Sequence, residues 1–145
     1  MQLELGGTDI AHVIQLAVAP VFLLSGVGVT LTVLTNRLAR IIDRARLLEG
    51  RVAGGAMPRL HEELGTLSRR AQLIHRAITL SVTCALLICV VIAALFLATL
   101  LRRDLSWLIA SAFILGMLAF TGALVNFLRE IFLATVSLRF GPPPQ

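Results

Sequence analysis

The residues with chemistry to offer concentrate in TNRLARIIDRAR, residues 35–46, which follows the apolar run LAVAPVFLLSGVGVTLTVL with no proline or glycine between them. Guanidinium groups at Arg37, Arg40 and Arg44 attract anions. Arranged around an axis, they would form a basic mouth that favours anions and repels cations. Just before them, Ser25, Gly28, Thr32 and Asn36 recur at helical spacing, flanked by Gly26 and Thr30. Toward the N-terminus the same flank meets His12, Gln15 and Ala19. The opposite side carries Leu24, Val27, Leu31, Leu34, Leu38, Ile41 and Ile42, so one side is bulky and the other small or polar.

Two uses fit such a face. Small residues let helices approach closely in lipid, and Thr and Asn hydrogen-bond across the contact. Alternatively, the face lines an oligomeric pore, with hydroxyls and exposed backbone as its wall. The arginines also have two readings. They set membrane topology and touch anionic headgroups, or they form the mouth of that pore. Asp43 lies at helical spacing from Arg40 and Arg46, a pairing worth a few tenths of a kcal/mol if exposed, roughly.

Other chemistries are missing from the pattern. There is no P-loop, dinucleotide fingerprint, HExxH or G-x-S-x-G. In His61-Glu62-Glu63, Gly65 stands where a zinc-binding helix needs its second histidine. Cys84 and Cys89 lie five apart in an apolar run, on different helix faces, and read as small hydrophobes. No apolar run holds the carboxylate or Ser–Lys pair that marks pumps and membrane enzymes. We expect no enzyme, no cofactor and no metal. The arginines sit at the ends of apolar runs, which is a topology pattern and not a nucleic-acid footprint.

The elements that position these residues are long helices. A hydrocarbon core of about 30 Å needs about 20 apolar residues at 1.5 Å each. Three stretches qualify, at about 16–34, 78–101 and 107–127, and none contains Asp, Glu, Lys or Arg. The first is expected to be a span and not a signal sequence, because no arginine precedes it. Composition agrees: 57% of residues are hydrophobic, 14% are charged and the mean hydropathy is +0.90. All thirteen basic residues are Arg, against eight acids.

Nine arginines lie between residues 35 and 77, with Arg129 and Arg139 near the C-terminus and Arg102 and Arg103 in the second connection. The positive-inside rule then places the N-terminus outside and the 35–77 segment and C-terminus in the cytoplasm. That segment is itself helical by pattern. Leu38, Ile41, Ile42, Ala45 and Leu48 continue helix 1 to about Glu49, with Gly50 as its stop and GRVAGGAMP as the turn. Pro58 opens the next helix, where Leu60, Leu64, Leu67, Ala71, Ile74 and Ile78 form a short coiled-coil seam.

The third helix is expected to continue past its span with Leu128, Ile131, Phe132 and Val136 as an apolar stripe, ending in a disordered tail at 141–145. Asn36 and Asn126 each lie at the arginine-side end of a span, where they either satisfy helix ends or bond across helices. Pro20 is expected to kink helix 1, and Trp107 to mark the outer interface.

The stretch IQLAVAPVFLLSGVGVTLTVLTNRLARIIDRAR, residues 14–46, closely resembles a family of small bacterial membrane proteins known as domain of unknown function 2721. The TNRLARIIDRAR junction is its most specific part, and the likeness continues through the later spans. The resemblance implies a bacterial integral membrane protein and carries no activity or functional residue.

The expectation is thus an all-α integral membrane protein of the bacterial inner membrane. It has three transmembrane helices, the first two extended into a cytoplasmic antiparallel helical hairpin over about 35–77. Its expected partners are anionic lipid headgroups, further copies of itself and, if it is a channel, ions. Two functions compete: an ion channel lined by helix 1, or a non-conducting scaffold whose basic hairpin binds a protein or anionic lipid.

Overall fold

The computed structural model describes the backbone of residues 2–52 and 58–138 and the side-chain surroundings of residues 10–50 and 63–135. It is all-α among these residues: α1 (Gln2–Val52), α2 (Pro58–Leu101) and α3 (Ser106–Leu138). Each is long and apolar enough to cross a membrane, over Ile10–Gly50, Glu63–Leu101 and Ser106–Thr135.

Helix α1 runs without interruption through the Leu34–Arg40 junction, as its unbroken period requires. It also passes through Pro20, which is buried. Proline removes one backbone bond there, and in lipid the rest of the ladder must stay closed because no water replaces it. Gly50 does not stop the helix, which reaches Val52. A glycine ends a helix only when it adopts the left-handed conformation at that point, and its presence alone does not impose this. The turn expected at 53–57 and the tail at 141–145 lie outside the described residues. Pro58 opens α2 as expected.

The helices form two compact units. The first combines residues up to Thr30 with Leu80–Thr121. Its interior is made of small side chains. Ala17 comes from α1, Ser81, Cys84 and Ala94 from α2, and Ala112 from α3, joined by Ile88 and Val91. At Gly116, a Cβ would meet Ile88 Cδ1 and Leu87 Cβ at 3.5 Å, so the backbones already lie at ordinary contact distance. Outside, α2 and α3 carry large side chains: Leu86, Leu100, Ile114, Leu115 and Leu118 are all more than half exposed. Small inside and large outside is what a lipid solvent favours, since tails solvate leucine as well as a protein interior does.

The α2–α3 corner closes this unit. The Arg103 N–H donates to the Ala98 carbonyl (3.1 Å) and the Arg102 N–H to the Thr99 carbonyl (3.4 Å). That is a Schellman end, with Arg102 at φ 48° in the position glycine usually takes. Asp104 then accepts from the Ser106 N–H at 3.0 Å and caps α3. Trp107, in the first turn of α3, is 81% exposed.

The second unit combines Leu31–Thr79 with the chain from Gly122 onward. Its core is built by the two arms of the expected hairpin. Leu34, Ile41 and Leu48 of α1 pack with Leu67, Ile74 and Ala77 of α2. Leu38 and Ala45 on one arm, and Leu64, Ala71 and Ile78 on the other, fill in at spacings of three and four. The seam expected on α2 therefore closes against α1 of the same chain, apart from Leu60, whose side chain lies outside the described set. Where the alternative is water, each such buried Leu or Ile contributes about 1.5–3 kcal/mol. Ile42, read with the bulky side, is 40% exposed.

Helix α3 turns its apolar stripe outward here. Leu128 and Phe132 are 52% and 63% exposed, while Ala123 and Glu130 are buried. Among the described residues, Phe127 is the one from α3 that packs against the apolar cluster. The sequence left open which face turns inward, and it is the one that carries Ala123 and Glu130. Val136 lies outside the described side chains.

Candidate functional site

Two features stand out among the described side chains. One is the outward face of α1. Ser25, Gly28, Thr32 and Asn36 are all exposed. The hydroxyl of Ser25 donates to the Val21 carbonyl (3.3 Å), and that of Thr30 to the Gly26 carbonyl (3.0 Å). Thr35 shares its proton between the carbonyls of Leu31 (2.9 Å) and Thr32 (3.1 Å). These bonds satisfy the hydroxyl protons within the helix and leave oxygen lone pairs outward. A Cβ added at Gly26 or Gly28 would meet nothing within 4 Å among the described residues, so none of them covers the face at these two glycines. Phe22 (73% exposed) and Val29 (68%) share the same side.

The other feature is an ionic centre that joins all three helices. Glu130 of α3 is 1% exposed and carries an arginine on each oxygen. Arg37 Nη1 of α1 meets Oε2 at 2.5 Å. Arg70 of α2 meets Oε1 through Nε (3.1 Å) and Nη2 (2.8 Å). The Arg37 guanidinium also lies 5.2 Å from the centroid of the Phe127 ring, a cation–π distance. Two cations and one carboxylate leave the centre with an excess of one positive charge.

One heptad further along α1 and one heptad back along α2, Arg44 bonds Glu63 at 2.7 and 3.2 Å. The matching steps in opposite directions fix the antiparallel register of the hairpin. This second pair is exposed on both sides, so it adds about 0–1 kcal/mol.

The three arginines grouped by the sequence therefore go to three environments. Arg37 is engaged inward with Glu130, Arg44 pairs with Glu63 at the surface, and Arg40 is exposed. Pairing of Asp43 with Arg40 or Arg46 is not among the ion pairs of the described residues. Asn126 donates to the Gly122 carbonyl of its own helix at 2.8 Å.

Glu130 and Arg70 were not singled out from the sequence. The signal was there, however: Ala112, Gly116 and Ala123 step by four and seven along α3, and seven more residues lead to Glu130. A carboxylate continuing a small-residue stripe needs a cation from a neighbouring helix, because an unpaired buried charge is prohibitively costly.

Comparison with known proteins adds a family and nothing finer. No curated protein and no solved structure matches the chain. The profile of the family described as "Protein of unknown function (DUF2721)" matches residues 17–140, a stretch that takes in the α1 face, both arginine pairs and the Glu130 centre. With nearly its whole length covered, this three-helix membrane protein belongs to the DUF2721 family.

Proposed function

We propose that the protein works as a homo-oligomer in the membrane, its subunits meeting through the outward face of α1. One observation carries this reading. Helices α2 and α3 turn small residues in and large ones out, as lipid-facing helices do. Helix α1 does the reverse over Ser25, Gly26, Gly28 and Thr32, with empty space beside both glycines. A face of this kind against acyl chains gains nothing, whereas against a second helix it permits close backbone approach. Cyclic closure is the usual way for such a contact to satisfy itself in every copy. In this arrangement the arginine-rich unit lies on the cytoplasmic side, as the charge asymmetry favours.

Within that assembly, Ser25, Gly28, Thr32 and Asn36 supply a path with polar lining, and exposed Arg40, in no ion pair among the described residues, stands at its end. Arg37 and Arg44 are held by carboxylates and contribute less field. Phe22 and Val29 narrow the path and favour helix packing over a wide hydrated lumen. A channel is the conducting form of the reading, carried by the polar lining, and a non-conducting scaffold that presents its basic unit to a protein or to anionic lipid is the alternative, which Phe22 and Val29 favour. Native mass spectrometry of the purified full chain counts the subunits, and planar-bilayer recording separates the two forms. Anion-selective current that changes with Arg40→Glu supports the channel. An assembled but silent protein supports the scaffold, and a monomer overturns both.

A further inference from the structure

We propose that the outward face of α3 around Arg129 binds an anionic phospholipid, with the guanidinium on the phosphate and the neighbouring apolar side chains along the acyl chain. This does not depend on the assembly through α1, which uses a different helix. Leu124, Leu128 and Phe132 recur every four residues and are 42%, 52% and 63% exposed. That spacing puts them on one helix face, and exposed Arg129, three residues before Phe132, lies at the edge of that face beside it.

Arg129 is also available. The carboxylate next to it in sequence, Glu130, points the other way, and both its oxygens are taken by Arg37 and Arg70. No ion pair among the described residues includes Arg129.

Depth supports a lipid occupant. Exposed Trp107 and Arg129 are separated by twenty-two residues of one helix. At 1.5 Å per residue this is about 33 Å, close to the ~30 Å of a hydrocarbon core. With Trp107 at one interface, Arg129 reaches the phosphates of the other. Leu124 and Leu128 then lie against the acyl chain, and Phe132 flanks the headgroup. A planar guanidinium takes two phosphate oxygens at once, which a choline headgroup shields and an anionic headgroup leaves open.

The test uses the full chain reconstituted in phosphatidylcholine vesicles with a minor share of phosphatidylglycerol, then extracted for native mass spectrometry. Bound phosphatidylglycerol is expected to exceed its share of the vesicle. Arg129→Gln should lower that excess about fivefold, the factor for roughly 1 kcal/mol per arginine near an anionic surface, while Arg46→Gln leaves it in place. No excess in the unaltered chain overturns the proposal. So does an excess that Arg46→Gln lowers equally, which would mark diffuse attraction to the whole basic unit. If Arg129→Gln changes the subunit count and not the bound lipid, the face is a protein contact and the proposal fails. Helical content by circular dichroism confirms that each exposed-site variant is folded.

Discussion

At the scale of single residues, Glu130 carries the most structural consequence. Its carboxylate is almost fully buried and is shared by guanidinium groups from two other helices. Removing one member of a buried ionic group strands the charges that remain, so Glu130→Ala should destabilise the fold by about 3–5 kcal/mol. The lower end is expected, because the Arg37 side chain is 38% exposed and can turn to water. Replacing all three groups by apolar side chains of similar volume (Arg37→Met, Glu130→Leu and Arg70→Met together) should cost little or even stabilise, since no charge is left behind. Denaturation midpoints of the two variants in the same detergent decide the point. Equal losses in both would mean that the centre acts through packing and not through charge.

At the scale of elements, the α2–α3 corner is the most local device. Arg102 holds a left-handed conformation that costs an L-residue energy and glycine almost none. Arg102→Gly should raise stability by about 0.5–1 kcal/mol, the left-handed cost to an L-residue less the extra chain entropy of glycine, seen as a later unfolding midpoint. An unchanged midpoint would mean the corner does not hold this conformation. Asp104 caps the next helix, and its bonds with Ser106, side chain first and backbone second, hold its carboxyl below the usual carboxylate range. A carboxyl lowered in the fold stabilises above its unfolded pKa, and that contribution disappears as pH falls through the folded value. The first turn of α3 should therefore loosen under acid, and Asp104→Asn should flatten that dependence in amide exchange of Ser106.

Much of this architecture was legible in the sequence. The spans, the unbroken α1 junction, the start of α2 at Pro58 and the seam between α1 and α2 all follow from period and length. The apolar stripe on α3 was legible, but which face turns inward was not: in lipid, large apolar side chains gain little from burial, so Leu128 and Phe132 face out while Ala123 and Glu130 face in. Gly50 was misread as a stop for a different reason. The backbone conformation that makes glycine a cap is not written in its identity.

At the scale of the whole molecule, α1 carries a small and polar face that nothing among the described residues covers. Because a Cβ at Gly28 would meet nothing within 4 Å among the described residues, Gly28→Leu should leave the fold of the single chain intact. It should nevertheless shift native mass spectra toward single subunits, by at least tenfold if the contact loses about 1.4 kcal/mol. A variant that keeps its full subunit count would move the contact to another face. The centre at Glu130 works in the opposite sense, holding one subunit together.

That shared carboxylate also sets which accidents the chain can absorb. If either guanidinium is lost, one cation and one anion remain, and the site is electrically neutral. If the carboxylate is lost, two like charges confront each other between helices. Chance substitutions at positions 37 and 70 are thus buffered by each other, whereas position 130 has no understudy.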